Sequence, residues 1–187
     1  MYAEERILTM KQDIKDVLVS EETLAKRVAE LGREISEDYT GEEVTVIGIL
    51  KGSNIFLADL VRQITIPAYM DFMVVSSYGN SAQTSGVVRI LKDLEEDIEG
   101  KNIIIVEDII DTGLTLAYLK QNLLSRKPKS LKICTLLDKP ARREIEIPID
   151  YKGFEVPDEF IVGYGIDYAE KYRNLPFVGT LKKEIYE

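Results

Sequence analysis

The chain has 187 residues, 33 of them acidic and 24 basic, a formal charge of −9, no histidine and one cysteine. That balance argues against general affinity for nucleic acid or an acidic membrane, because phosphate contacts need a basic surface. It also excludes an internal disulfide, Ser-His and Cys-His nucleophilic pairs and histidine metal sites, so acid–base work falls to Asp, Glu, Lys or Tyr.

The length and an apolar content of 45% fit one domain with a sizeable core. The N-terminal MYAEERILTMKQ carries early acids and lacks the apolar centre of a signal peptide. No stretch reaches the length of a membrane span, so a cytoplasmic protein is expected.

In chain order, Ile14–Val19 reads as a short strand. Ser20 is an N-cap, with Glu21 and Glu22 where acids suit the helix dipole. Leu24, Val28, Leu31 and Ile35 mark one apolar helix face, and Gly41 ends the segment. Val44–Leu50 is a buried type of strand that runs into Lys51-Gly52-Ser53-Asn54, with a helix expected over Ile55–Ile64. Strand, small turn and helix imply a parallel arrangement. Met70–Val75 is a third strand. Ser76–Gly86 is polar and glycine-containing and reads as a mobile loop, before a strand at Val87–Leu91 and a solvated acidic turn, DLEEDIEG.

The stretch IIIVEDIIDTGLT, Ile103 to Thr115, is the centre of the pattern. Ile103–Val106 suits a strand buried on both faces. Glu107 and Asp108 then form an acidic turn, followed by the small loop Asp111-Thr112-Gly113 and a helix with Leu116, Leu119 and Leu123 on one side. A loop at the carboxyl end of a parallel strand, opening a helix, suits a phosphate. The two carboxylates suit a sugar diol, or a metal held through water. By itself the turn is as readily an acidic helix cap.

Pro128 ends that helix, and Leu131–Leu137 is a further buried strand in which Cys134 is a small hydrophobe. From Asp138 onward prolines and aromatics gather, and a small cap over the sheet's carboxyl edge is expected.

VEDIIDTG followed by Leu-Thr resembles the phosphoribosyl pyrophosphate (PRPP) motif of the type I phosphoribosyltransferases, in the form of their hypoxanthine-guanine branch. VPDEFIVGYGIDYAEKYRNLPF, Val156–Phe177, resembles the hood segment of the same branch. Two weaker stretches, LKGS and SSYG, appear in the family's order. The resemblance covers Ile14 to Leu181. It implies an α/β fold, a parallel sheet flanked by helices, with a core over about 20–138 and a hood from about 139–187 plus the N-terminal segment.

It also implies the site. Asp111 would be the catalytic base, and Glu107, Asp108, Asp111, Thr112, Gly113, Leu114 and Thr115 would bind PRPP. Lys51, Gly52 and Arg173 would bind pyrophosphate; the Leu50–Lys51 peptide bond is often cis in that family. Ser77 and Tyr78 would open a flexible loop that closes over the site. Lys139 would donate to a purine 6-oxo group, Phe160 would stack on the ring and Ile161 would offer backbone contacts. Asp167, with Glu107 and Asp108, would hold Mg2+. PRPP and a 6-oxopurine would then give the nucleoside monophosphate and pyrophosphate. No nucleic-acid or membrane partner is implied, and a homo-oligomer, a dimer or tetramer, is usual. Two alternatives stand beside this: a regulatory protein that keeps the fold and acts on RNA, and an enzyme for another base, with adenine disfavoured by Lys139 and xanthine open.

Overall fold

The computed structural model describes residues 10–77 and 88–187. β1 (Ile14–Val19) leads into α1 (Glu21–Asp38), whose start is capped by the Ser20 hydroxyl accepting the Thr23 N–H at 3.2 Å. Leu24, Val28, Leu31 and Ile35 are all buried, as their spacing implied. β2 (Val44–Leu50), α2 (Asn54–Val61) and β3 (Ala68–Ser77) follow, then β4 (Val88–Lys92). β5 (Asn102–Ile110), α3 (Leu114–Leu124) and β6 (Ser130–Asp138) make the next unit. The tail carries β7 (Tyr151–Glu155), β8 (Ile161–Val162) and β9 (Val178–Leu181).

The main sheet has the order β4-β3-β2-β5-β6-β7. Its strands are parallel except for the antiparallel edge strand β4. β1, β9 and β8 form a separate antiparallel sheet. One core packs α1 and α2 on Val44, Val46, Ile104, Val106 and Cys134. The other packs α3 on Ile47, Ile49, Ile103, Ile105 and Ile133. Alternate residues of β2 and β5 thus serve opposite layers, which is why Val46–Leu50 and Ile103–Val106 carry no polar side chain. Burial pushes the Cys134 thiol up, so it is an inert core group. Among the described residues no helix is long and apolar enough to cross a membrane.

The expected α/β architecture is present, with local differences. β3 runs on through Ser76 and Ser77, which the sequence put in the loop; the remainder of that loop, with Tyr78, lies outside the described residues. α2 stops at Val61 and α3 at Leu124, short of Ile64 and Pro128, because each closes with a tight turn. Within the stretch assigned to the cap, Tyr151–Glu155 is instead a strand of the main sheet. Its apolar residues Tyr151 and Phe154 pack into the core beside β6.

Candidate active site

The order of strands places the site. The β2–α2–β3 crossover steps to one side of the sheet and β5–α3–β6 to the other, so the order reverses between β2 and β5. In open α/β sheets a ligand crevice opens at that point, beyond the strands' carboxyl ends. β2 pairs with β5 only as far as Gly48↔Val106, whereas β5 continues along β6 to Ile110↔Asp138. Glu107 and Asp108 are therefore the first β5 residues without a β2 neighbour. They prolong the strand and do not form the acidic turn expected from the sequence.

Alternation sends these two carboxylates to opposite faces. Glu107 lines a pocket of about 120 Å³ with Ile109, Asp111, Thr112, Gly113 and Thr115. Its carboxyl is pushed well above the usual range by burial and then by the Asp108 charge. Asp108 lies on the other side against Gly52, where a Cβ would overlap its carboxylate. Burial raises the Asp108 carboxyl to about 6, opposed by backbone N–H donors and the Arg173 charge.

The pocket around Thr112 is a cradle at the start of α3. Gly113 has φ 85°, and the Thr112 hydroxyl accepts the Leu114 N–H at 3.3 Å. First-turn N–H groups have no helical partner and aim outward, the arrangement that binds phosphate. A strap from the following segment holds this loop. Glu144 and Ile145 donate their N–H groups to the Thr112 carbonyl at 3.0 and 3.1 Å. Buried Arg143 pairs with Asp138 and donates to the Asp111 carbonyl at 3.1 Å.

A second pocket, about 290 Å³, shares two residues with the first, Ile109 and Asp111. Lys139, Phe160, Ile161, Ile166, Asp167 and Tyr186 also line it. Lys139 is 6% exposed, and its ammonium donates to the Glu159 carbonyl at 3.0 Å. Phe160 meets Tyr168 edge-on at 5.1 Å and stacks with Tyr186 at 4.9 Å. Oδ1 of Asp111 is buried with no hydrogen-bond partner among the described residues, and Oδ2 lies 4.0 Å from Arg142.

The opposite rim of the crevice carries Lys51, Gly52, Asp167 and Arg173. The Leu50–Lys51 peptide bond is cis. Ser53 is fully buried and donates to the Ile49 carbonyl at 2.7 Å, closing the turn. Gly165, at φ 102°, packs so tightly on the Gly52 carbonyl that a side chain there would clash. The loop after β2 is thus seated on the tail. Arg173 bonds the Gly165 carbonyl at 2.8 Å and Asp167 at 2.8 Å, so these two groups, assigned to pyrophosphate and metal, are paired with each other.

The structure therefore gathers Glu107, Asp111, Thr112, Gly113 and Thr115 on one pocket, and Lys139, Phe160 and Ile161 on the adjoining one. Leu114 opens the helix beside the first. Asp108, Gly52, Lys51, Asp167 and Arg173 form the far rim. Ser77 ends β3, and Tyr78 lies outside the described residues. Sequence reasoning missed Arg143, Glu170 and Tyr186. Arg143 lies four residues beyond Lys139, and Glu170 lies inside the quoted hood stretch between Asp167 and Arg173; neither those positions nor Tyr186 was singled out.

The chain is similar to known phosphoribosyltransferases along nearly its whole length. A family model described as "Phosphoribosyl transferase domain" matches residues 16–169. The Bacillus subtilis hypoxanthine-guanine phosphoribosyltransferase is 56% identical over 95% of this chain and 99% of its own. The Salmonella typhimurium hypoxanthine phosphoribosyltransferase is 54% identical over 89% of this chain and 94% of its own. A crystal structure of a Staphylococcus aureus hypoxanthine phosphoribosyltransferase superposes with a TM-score of 0.93 at 49% identity, covering 96% of this chain and 97% of that one. A crevice at the β2/β5 switch point, on a chain matched along nearly its whole length, places this protein in the phosphoribosyltransferase family.

Proposed function

We propose that the chain transfers the phosphoribosyl group of PRPP to hypoxanthine or guanine, a purine-salvage reaction that yields the nucleoside monophosphate and pyrophosphate. One observation carries this reading: Asp111 is a shared wall of the cradle and the aromatic pocket, with one oxygen buried and unpartnered. A base at that boundary can reach a purine ring proton while the cradle holds the ribose 5′-phosphate.

In this reading the bond from the ribose carbon to pyrophosphate breaks, and pyrophosphate leaves with the electron pair. The carbon becomes oxocarbenium-like, and the purine ring nitrogen bonds to it as Asp111 takes the proton. Glu107, on the cradle side, accepts hydrogen bonds from the ribose hydroxyls. Lys51 and Arg173 neutralise the leaving group. Asp108, against Gly52, and Asp167, whose charge acts on it, offer the oxygen donors that magnesium prefers. Among the described residues no three acidic or cysteine side chains gather into a cage of their own. That donor set fits an ion held by Asp108 and Asp167 and completed by substrate oxygens. When bound, magnesium supplies charge neutralisation at the pyrophosphate.

Lys139 reads the base. An ammonium has three donors and no acceptor, and one donor is taken by the Glu159 carbonyl. The remaining donors suit a 6-oxo group, whereas the amino group of adenine would face them with its own donors. The small sheet acts as a hood over a core formed by the main sheet, in a single phosphoribosyltransferase domain. A cytoplasmic homo-oligomer belongs to the same reading, and sedimentation would test the assembly.

Incubation with PRPP, magnesium and each purine in turn tests the proposal. Hypoxanthine or guanine should be converted, with adenine slower by ~10⁴ or more. Excess chelator should stop turnover. Efficient adenine use would remove Lys139 as the reader, and turnover in chelator would remove the metal.

A further inference from the structure

The two cations assigned above to pyrophosphate already share one carboxylate. Lys51 Nζ lies 3.2 Å from both Oε1 and Oε2 of Glu170. Arg173 Nη2 is 3.4 Å from Glu170 Oε2. Lys51 follows β2 and Glu170 belongs to the tail, so this contact joins two segments of the far rim that lie 119 residues apart in sequence.

The backbone is shaped to deliver that carboxylate. Tyr168 and Lys171 bridge a tight turn whose two central residues, Ala169 and Glu170, have φ of 50° and 61°. Left-handed geometry at both positions is the type I′ form, which glycine and asparagine fill readily and alanine and glutamate do not. The turn is held by the Asp167 carboxylate, which accepts the Glu170 N–H at 2.8 Å. The Glu170 carboxyl is held below the usual range, first by its hydrogen bond to Lys51 and then by the Lys51 charge.

We infer that Glu170 is a resident counter-anion of the pyrophosphate site, which occupies Lys51 and Arg173 in the free protein and must be displaced by the pyrophosphate group. The inference rests on the reading of the chain as a PRPP-using transferase. Glu170 is a positioning residue. It holds two like charges together in advance of substrate, and it competes with any anion that would span them. The competition weakens PRPP and product pyrophosphate alike, which favours release of the product.

The test is calorimetric titration of inorganic pyrophosphate with magnesium into the protein and into Glu170→Gln. The variant keeps the side-chain length and loses the charge. It should bind about two- to tenfold more tightly, the range set by exposed ion pairs that no longer have to be broken. The gain should shrink as salt rises, because these charges are exposed and screened. In a Lys51→Met background Glu170→Gln should gain less, since the contact being competed for is gone. An equal gain there would mean a general charge effect and would overturn the inference. So would unchanged or weaker binding by Glu170→Gln, including weaker binding with a lowered melting temperature. Failure of the unsubstituted protein to bind either pyrophosphate or PRPP would defeat the transferase reading and the inference with it.

Discussion

The two sides of the crevice are built in different ways. The cradle side comes from one continuous stretch, the end of β5 and the start of α3, and buried groups hold it. Arg143 and Asp138 are each less than a tenth exposed at their side chains, and the strap from residues 144 and 145 is backbone. The far rim, proposed above to take pyrophosphate, joins the loop after β2 to the tail through Lys51, Glu170, Asp167 and Arg173, two of which are about two-thirds exposed. Buried, fully bonded groups hold a fixed geometry, while exposed pairs are weak and exchange partners easily. The cradle is held by buried groups, and the far rim by ion pairs that the proposed substrate would have to rearrange.

Substitutions can break that contrast. The largest effect should come from Asp111→Asn, which removes the proposed base but leaves the cradle's N–H groups. The chemical step should slow by roughly 10²–10⁴ with PRPP affinity preserved. Single-turnover rates and PRPP titration would check this, and a near-normal rate would remove Asp111 from the chemistry.

Next comes the brace. Arg143→Met leaves the Asp138 carboxylate buried with Lys152, at 3.3 Å, as its remaining partner. Loss of one member of a buried pair costs about 3–5 kcal/mol. Urea unfolding should show that loss, and a change near zero would mean the cradle is not held as described.

Asp108 belongs to the far rim but, unlike Lys51 and Glu170, is not exposed. Its folded carboxyl is raised to about 6 from the ordinary 3.8, so ionising it disfavours the folded state. That penalty is complete above pH 6 and absent below the unfolded value. Asp108→Asn should therefore stabilise the ligand-free protein by up to about 3 kcal/mol at pH 8. The gain should fade between pH 6 and 4 while activity is lost. Urea midpoints across that range, in chelator, would measure it; a gain that grows toward acid pH would reverse the assignment.

The smallest effect on stability should be at the rim. Lys51→Met removes an exposed ion pair, and stability should shift by less than about 1 kcal/mol. The KM for PRPP should nonetheless rise severalfold. A large drop in melting temperature would show that the rim, too, is structural.

Local chemistry made part of this legible in the sequence. Apolar runs marked β2, β5 and β6, and Ser20 marked the start of α1, because burial on both faces and N-capping depend on neighbouring residues. The cradle was legible for the same reason, since its strand, loop and helix are contiguous. Long-range geometry was not. Whether Glu107 and Asp108 lie on one surface depends on whether β5 continues as a strand past Val106, and its pairing with β6 as far as Ile110↔Asp138 decides that. The tail's share of the main sheet depends on Tyr151 and Phe154 finding an open edge beside β6. Glu170 stands in the hood stretch between Asp167 and Arg173, and Tyr186 follows that stretch, but nothing local to either marks it as a site residue. The first matters because a left-handed turn carries it to Lys51, and the second because the chain end returns to Phe160. The sequence by itself determined the layers and the phosphate loop, which are set by local periodicity and capping. The tertiary structure alone decided which charges meet on the far rim, because the Lys51–Glu170 pairing depends on the packing of segments more than a hundred residues apart.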